Sequence, residues 1–204
     1  MATATLRSIR VGPADHGRPM TVAEFEDCIC EEGFRYELID GRLYVTYEPD
    51  PPEDILEKWL FAKLLAYSRR HPEVINYISN KARVYLPLKV RATIPEPDLA
   101  AYHAFPHHLP MRQIRWRNVS PVLVGEVLSP HDPHKDLMRN PHLYLQVPSI
   151  REYWLLDGRE DPDHPMMLVY RRHGQRWRLV ELAYDDTYRT KLLPGFRLVL
   201  DPRS

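Results

Sequence analysis

Ser120–Asp132 reads S-P-V-L-V-G-E-V-L-S-P-H-D, and its one buried-looking carboxylate decides how the rest of the chain is read. Val122, Leu123 and Val124 lead to Gly125 and Glu126, and Val127 and Leu128 follow before the Ser129-Pro130 turn. A short β-branched run between turn residues predicts a buried strand. A carboxylate in such a strand is costly unless a metal, a cation or hydrogen-bond donors meet it. Its best acidic companion is Asp98, in P-E-P-D-L-A-A-Y, also at the head of a short apolar run. Carboxylates on neighbouring strands, about 4.8 Å apart by sheet geometry, repel each other. A divalent cation between them resolves the repulsion.

Upstream, residues 1–20 show no sustained period and read as a loose arm, with a single domain expected over 21–204. Thr21-Val22-Ala23-Glu24 is a capping box, predicting a helix that runs to about Glu31 and stops at Gly33. Cys28 and Cys30 on that helix would point apart, against a mutual disulfide or a metal pair. Asp40-Gly41 between alternating segments predicts a hairpin of Arg35–Ile39 and Arg42–Thr46. The proline-acid turn Asp50–Asp54 opens the longest helix, roughly Glu53–Arg70, with Leu56, Leu60 and Leu64 on its buried face. Val74–Ile78 and Lys81–Leu86 read as strands. Phe105–Asn118 is a polar excursion.

Downstream, a short helix is expected over Pro141–Val147, with Asn140 as N-cap and Pro141 at the first helical position. Strands follow at Glu152–Leu156, Met167–Arg171, Trp177–Leu182 and Arg197–Leu200. Strands and helices alternate without a regular βαβ rhythm, which predicts an α/β fold: a mixed β-sheet flanked by helices. The 20 prolines among 204 residues cut the chain into short pieces and argue against a helical bundle. Lys+Arg and Asp+Glu are 28 each, so nucleic-acid binding would need local patches rather than global charge. Two cysteines, no signal peptide and no membrane-length apolar run point to a reducing, cytoplasmic setting.

Three acids stand out: Glu37 in Y-E-L-I-D-G, Asp98 in P-D, and Glu126 in G-E-V-L-S-P. With the later R-E-Y-W and L-L-P-G-F, their order along the chain resembles the Uma-type family of restriction endonucleases, over roughly Thr21 to Asp201. That family belongs to the PD-(D/E)xK restriction-endonuclease-like superfamily. The resemblance implies a restriction-endonuclease-like mixed sheet, a divalent-metal site and hydrolysis of DNA phosphodiesters. It implies Asp98, Glu126 and the carbonyl of Val127 as ligands to Mg²⁺ or Mn²⁺, with Glu37 as a third acid. By analogy with restriction-type nucleases it also implies a homodimer.

The chain departs from the pattern at the lysine. The superfamily places one two residues after the second acid, on the same strand face; here that residue is Leu128. The alternative position on the next helix is Asn140. Lys135, Arg139 and Lys81 are possible substitutes. Two readings follow: a metal-dependent endonuclease, or a catalytically impaired relative that binds nucleic acid or a protein partner.

The patches R-Q-I-R-W-R-N (Arg112, Arg115 and Arg117) and R-R-H-G-Q-R-W-R (Arg171–Arg178) mix arginine with tryptophan, as phosphate and base contacts would. Their plainer reading is an amphipathic segment with tryptophan turned inward. Plainer readings also exist for the acids: a turn aspartate at 98, a salt bridge from Glu126 to an arginine such as Arg151, and an exposed hairpin glutamate at 37. His103, His107, His108, His131 and His134 offer a rival zinc site, but Pro106, Pro110 and Pro133 interrupt the helices that would align them.

Overall fold

Asp40 and Gly41 turn the chain with φ of 49° and 71°, the paired positive values of a type I′ hairpin turn. This comes from a computed structural model that describes residues 8–87 and 91–204. The residues fall into two units, and each is described by itself. A hairpin unit takes the residues up to Glu48 together with Tyr85–Glu96; a sheet unit takes Pro49–Val84 and Pro97–Ser204.

In the hairpin unit, β1 (Arg10–Val11), α1 (Val22–Asp27), β2 (Ile29–Cys30), β3 (Phe34–Ile39) and β4 (Arg42–Tyr47) follow in order. The capping box at Thr21 forms as the residue types predict: Thr21 Oγ1 accepts from the Glu24 amide, and the Glu24 carboxylate accepts from the Thr21 amide. The helix is shorter than expected. Cys28 has extended angles, and β2 pairs in parallel with β1. The pairing partner, Arg10–Val11, lies within the stretch read as a loose arm; residues 1–7 of that stretch lie outside the described residues. Because the chain is extended at Cys28–Cys30, positions i and i+2 share a side, and the two Sγ atoms lie 3.7 Å apart. This corrects the expectation that they point apart. The core of this unit gathers Val11, Phe25, Tyr36, Leu38, Leu43 and Ile94.

In the sheet unit, α2 spans Pro51–Arg70 with prolines in its first turn. It is followed by β5 (Tyr77–Ser79), β6 (Leu99–Tyr102), β7 (Leu123–Val127), α3 (Asn140–Leu145), β8 (Glu152–Asp157), β9 (Met166–His173), β10 (Arg176–Leu182), β11 (Thr187–Tyr188) and β12 (Leu198–Val199). Six strands form one sheet in the order β10-β9-β8-β7-β6-β5. Only the β7–β8 pair is parallel; the other four neighbours are antiparallel. The mixed sheet with helices is thus the fold the sequence predicts.

Side chains alternate across this sheet as strand geometry requires. Leu123 and Val127 of β7 and Trp154 and Leu156 of β8 join Leu56, Leu60 and Leu64 of α2 in one core. Glu126 of β7 and Tyr153 of β8 project to the opposite side, where Tyr153 packs against Tyr144 of α3 at 5.0 Å. Lys81–Leu86 is not a strand among the described residues, though Ala82 and Val84 are buried as their alternation predicts and the Leu86 amide donates to the Thr93 carbonyl at 3.1 Å. Phe105–Asn118 is anchored by aromatic contacts, with Phe105 stacked on Tyr77 at 3.9 Å and Trp116 on Tyr102 at 6.1 Å.

Candidate functional site

The register of β6 and β7 pairs Leu99 with Gly125. One step further, Asp98 stands opposite Glu126, and opposed residues of an antiparallel pair share a face. The two are tied reciprocally. The Asp98 amide donates to Glu126 Oε2 at 3.0 Å, and the Val127 amide donates to Asp98 Oδ2 at 2.7 Å. Asp98 is 8 % exposed and Glu126 1 %.

The helical segment between β7 and β8 closes over this pair. Lys135–Arg139 is a π-helical turn running directly into α3, a rare geometry that is frequent at functional sites. Tyr144 donates its hydroxyl to Glu126 Oε1 at 2.8 Å, and Asn140 Nδ2 donates to the same oxygen at 3.2 Å. Asn140 Nδ2 also donates to Asp136 Oδ1 at 2.8 Å, while its Oδ1 accepts from Arg139 Nε at 3.0 Å. The amide orientation follows from these partners: the NH₂ faces two carboxylates and the oxygen faces a guanidinium. Lys135 Nζ lies 3.4 Å from Asp136 Oδ1, its side chain 13 % exposed. Tyr153 donates to the Asp136 carbonyl at 2.9 Å. Burial, and then the nearby Asp136 and Glu126 carboxylates, push its pKa well above the ordinary phenol value, so its hydroxyl stays a donor.

Asn140 is therefore not an N-cap. It continues a helix already begun, with αR angles, and its side chain points into the acid cluster. Asp136 is a member that the sequence reading missed. The signal was present, since Asp136, Asn140 and Tyr144 recur at four-residue spacing and fall on one helix stripe. Gln146, near the end of α3, is exposed and bonds back to the His142 carbonyl.

A second arginine patch secures this helix. Arg172 of β9 donates from Nη2 to the carbonyls of Tyr144 and Leu145, at the end of α3, and of Val147 just beyond it. Its Nε donates to the Ile150 carbonyl, and Trp177 Nε1 donates to the Pro141 carbonyl at 2.8 Å. Arg172 and Trp177 are thus structural, the plainer of their two readings. In the first patch, Arg112 and Arg117 are exposed on two short 3₁₀ turns and Arg115 is exposed between them, while Trp116 packs inward among aromatics.

Glu37 lies in the hairpin unit, on β3. It is 2 % exposed rather than a solvated hairpin glutamate, and its Oε1 accepts from the Glu96 amide at 3.1 Å.

A family model described as "Putative restriction endonuclease", Uma2, matches residues 22–201. The chain belongs to the Uma2 family. A solved structure from Anabaena variabilis, titled a "putative nuclease belonging to DUF820", is similar to this Uma2 chain with a TM-score of 0.65 and 16 % identity. The match covers 91 % of this chain and 96 % of that one. None of the curated proteins compared matches the chain. The family and the structural likeness agree on a nuclease-like fold.

The family's chemistry calls for a hard divalent ion, and the donor set here suits one. Asp98 and Glu126 offer carboxylate oxygens on one sheet face, the ligand type a hard ion takes. Mg²⁺ takes one or two carboxylates and completes its shell with water. Among the described residues no group of three or more His, Cys, Asp or Glu side chains is disposed about a metal position. His103 and His107 instead bond to the backbone of Val74 and Asn76.

Proposed function

We propose that this Uma2 chain is a divalent-metal-dependent endonuclease that hydrolyses DNA phosphodiester bonds. The observation that carries the reading is the reciprocal tie between Asp98 and Glu126 on one buried sheet face. Asp98, Glu126 and the Val127 carbonyl would hold Mg²⁺ or Mn²⁺. Bound there, such an ion would supply Lewis-acid chemistry: charge to polarise a phosphate and to lower the pKa of a water.

The other groups act through their own chemistry. Tyr144 and Asn140 fix the Glu126 carboxylate by hydrogen bonds at 2.8 and 3.2 Å. Lys135, beside Asp136, is the cation we assign to the role of the lysine that Leu128 and Asn140 do not provide. Arg112, Arg115 and Arg117 are proposed to follow the phosphate backbone, positioning DNA without reading sequence. Glu37 belongs to the hairpin unit and is not among the ligands proposed. A homodimer, with two sites for two strands, completes the proposal.

A second reading has its own observation. Leu128 is buried, and Asn140 supplies a neutral amide where a cation is expected. On this reading the chain keeps the fold and binds nucleic acid without turning it over. Incubation of supercoiled plasmid with Mg²⁺, Mn²⁺ or EDTA separates the two. The endonuclease reading expects metal-dependent nicking by the wild type that Asp98→Asn abolishes. Absence of nicking with either metal, alongside retained DNA binding, favours the impaired form.

A further inference from the structure

We propose that Cys28 and Cys30 are a redox-active dithiol that closes reversibly into an intramolecular disulfide. Their sulfurs already lie 3.7 Å apart, so closing the bond to about 2.05 Å needs side-chain rotation and a small backbone adjustment. The backbone geometry allows it. Cys28 is extended, at φ −70° and ψ 152°, and Cys30 lies in β2. Two residues of extended chain place Cα atoms about 6.6 Å apart, just inside the upper end of the disulfide range, about 6.8 Å.

That position near the limit gives the bond its character. A three-residue ring drawn from extended chain is strained, and strained disulfides are the readily reduced, labile ones. Both cysteines are half-buried rather than sealed, so a small thiol or disulfide can reach them. They are also the only cysteines in the chain. Nothing in the Asp98–Glu126 chemistry uses them.

The reaction is thiol–disulfide exchange with a small-molecule disulfide as oxidant. One cysteine thiolate attacks a sulfur of that disulfide, forming a mixed disulfide and expelling one small thiolate. The neighbouring cysteine then attacks the protein-side sulfur and expels the second. Two electrons pass from the protein dithiol to the oxidant, and the two thiol protons end on the two small thiols released.

The test treats the full chain with oxidised glutathione and reads it by intact mass and by the peptide that carries both cysteines. The expected product is a monomer that has lost both thiols and about 2 Da, the two hydrogens of the dithiol, with the crosslink inside that one peptide. Reduced glutathione alone should restore it. Cys28→Ser and Cys30→Ser should instead each carry a stable glutathione adduct. A wild-type chain that keeps both thiols, that accumulates glutathione adducts, or that forms disulfide-linked dimers overturns the proposal.

Discussion

Asp98 and Glu126 are bound through each other's strands: the Asp98 amide meets the Glu126 carboxylate at 3.0 Å, and the Asp98 carboxylate meets the Val127 amide at 2.7 Å. Each acid is therefore aimed by the other's backbone. Two buried carboxylates so close would be an electrostatic cost with no return in a purely structural sheet. They are accompanied by Asp136, which is 1 % exposed and lies 3.4 Å from Lys135 Nζ, so three buried acids and a cation gather at this site.

Tyr144→Phe tests how Glu126 is held. It deletes one hydroxyl that donates to a buried carboxylate at 2.8 Å and leaves the ring in place. Hydrogen bonds to charged groups are worth about 1.5–3 kcal/mol, so urea unfolding should show a loss of that order. Metal-dependent cleavage should fall as well, but by less than in Asp98→Asn.

Lys135 and Asn140 together test the displaced cation. Lys135→Met should lower plasmid cleavage by roughly 10²-fold, the scale of losing one positioned catalytic or electrostatic group. Asn140→Lys in that background should recover part of the rate, because residue 140 already reaches Glu126 at 3.2 Å. Initial rates of nicking for wild type, single and double variants give the comparison.

Much of this was legible beforehand. Asp40-Gly41 predicts its hairpin because few other residue pairs tolerate two positive φ values, and α2 follows from its proline-acid start and its leucine spacing. Glu126 stands out because a carboxylate in a β-branched run is physically conspicuous. What was not legible depended on distant partners. Cys28–Cys30 leaves the helix because Arg10–Val11 supplies a strand to pair with. Asn140-Pro141 has the local chemistry of a helix start, yet the π-helical turn before it already carries the chain in helical form. Arg172 has the look of a phosphate contact, but its position in β9 puts it over the carbonyls that end α3.

Arg172→Lys should expose that last role. A lysine keeps the charge but has one nitrogen, so it cannot hold the end of α3 and the Ile150 carbonyl together as Nη2 and Nε do. The expected loss is on the order of 2 kcal/mol in urea unfolding, with protection of α3 amides from hydrogen exchange falling more than that of the β-sheet.

Stability should fall in alkali. Burial raises the pKa of Tyr102, Tyr153 and Tyr188 above the ordinary 10.0. A phenol whose folded pKa is raised contributes its full stabilisation below the unfolded pKa, about 10. The contribution declines as pH rises from there toward the folded pKa, because the unfolded state releases the proton first. Urea midpoints should be level from about pH 8 to 9.5 and drop above about pH 10. Tyr153→Phe, though less stable at neutral pH, should show a shallower alkaline drop.

The most direct test of the central claim, that Asp98 and Glu126 form a divalent-ion site, is calorimetric titration of the chain with Mn²⁺. The wild type should show a single saturable site. Asp98→Asn and Glu126→Gln, which preserve shape and remove charge, should each weaken it by at least about 10-fold, the scale on which even supporting residues alter metal affinity. Wild-type protein without saturable binding, or variants that bind Mn²⁺ as tightly as the wild type, would contradict the account.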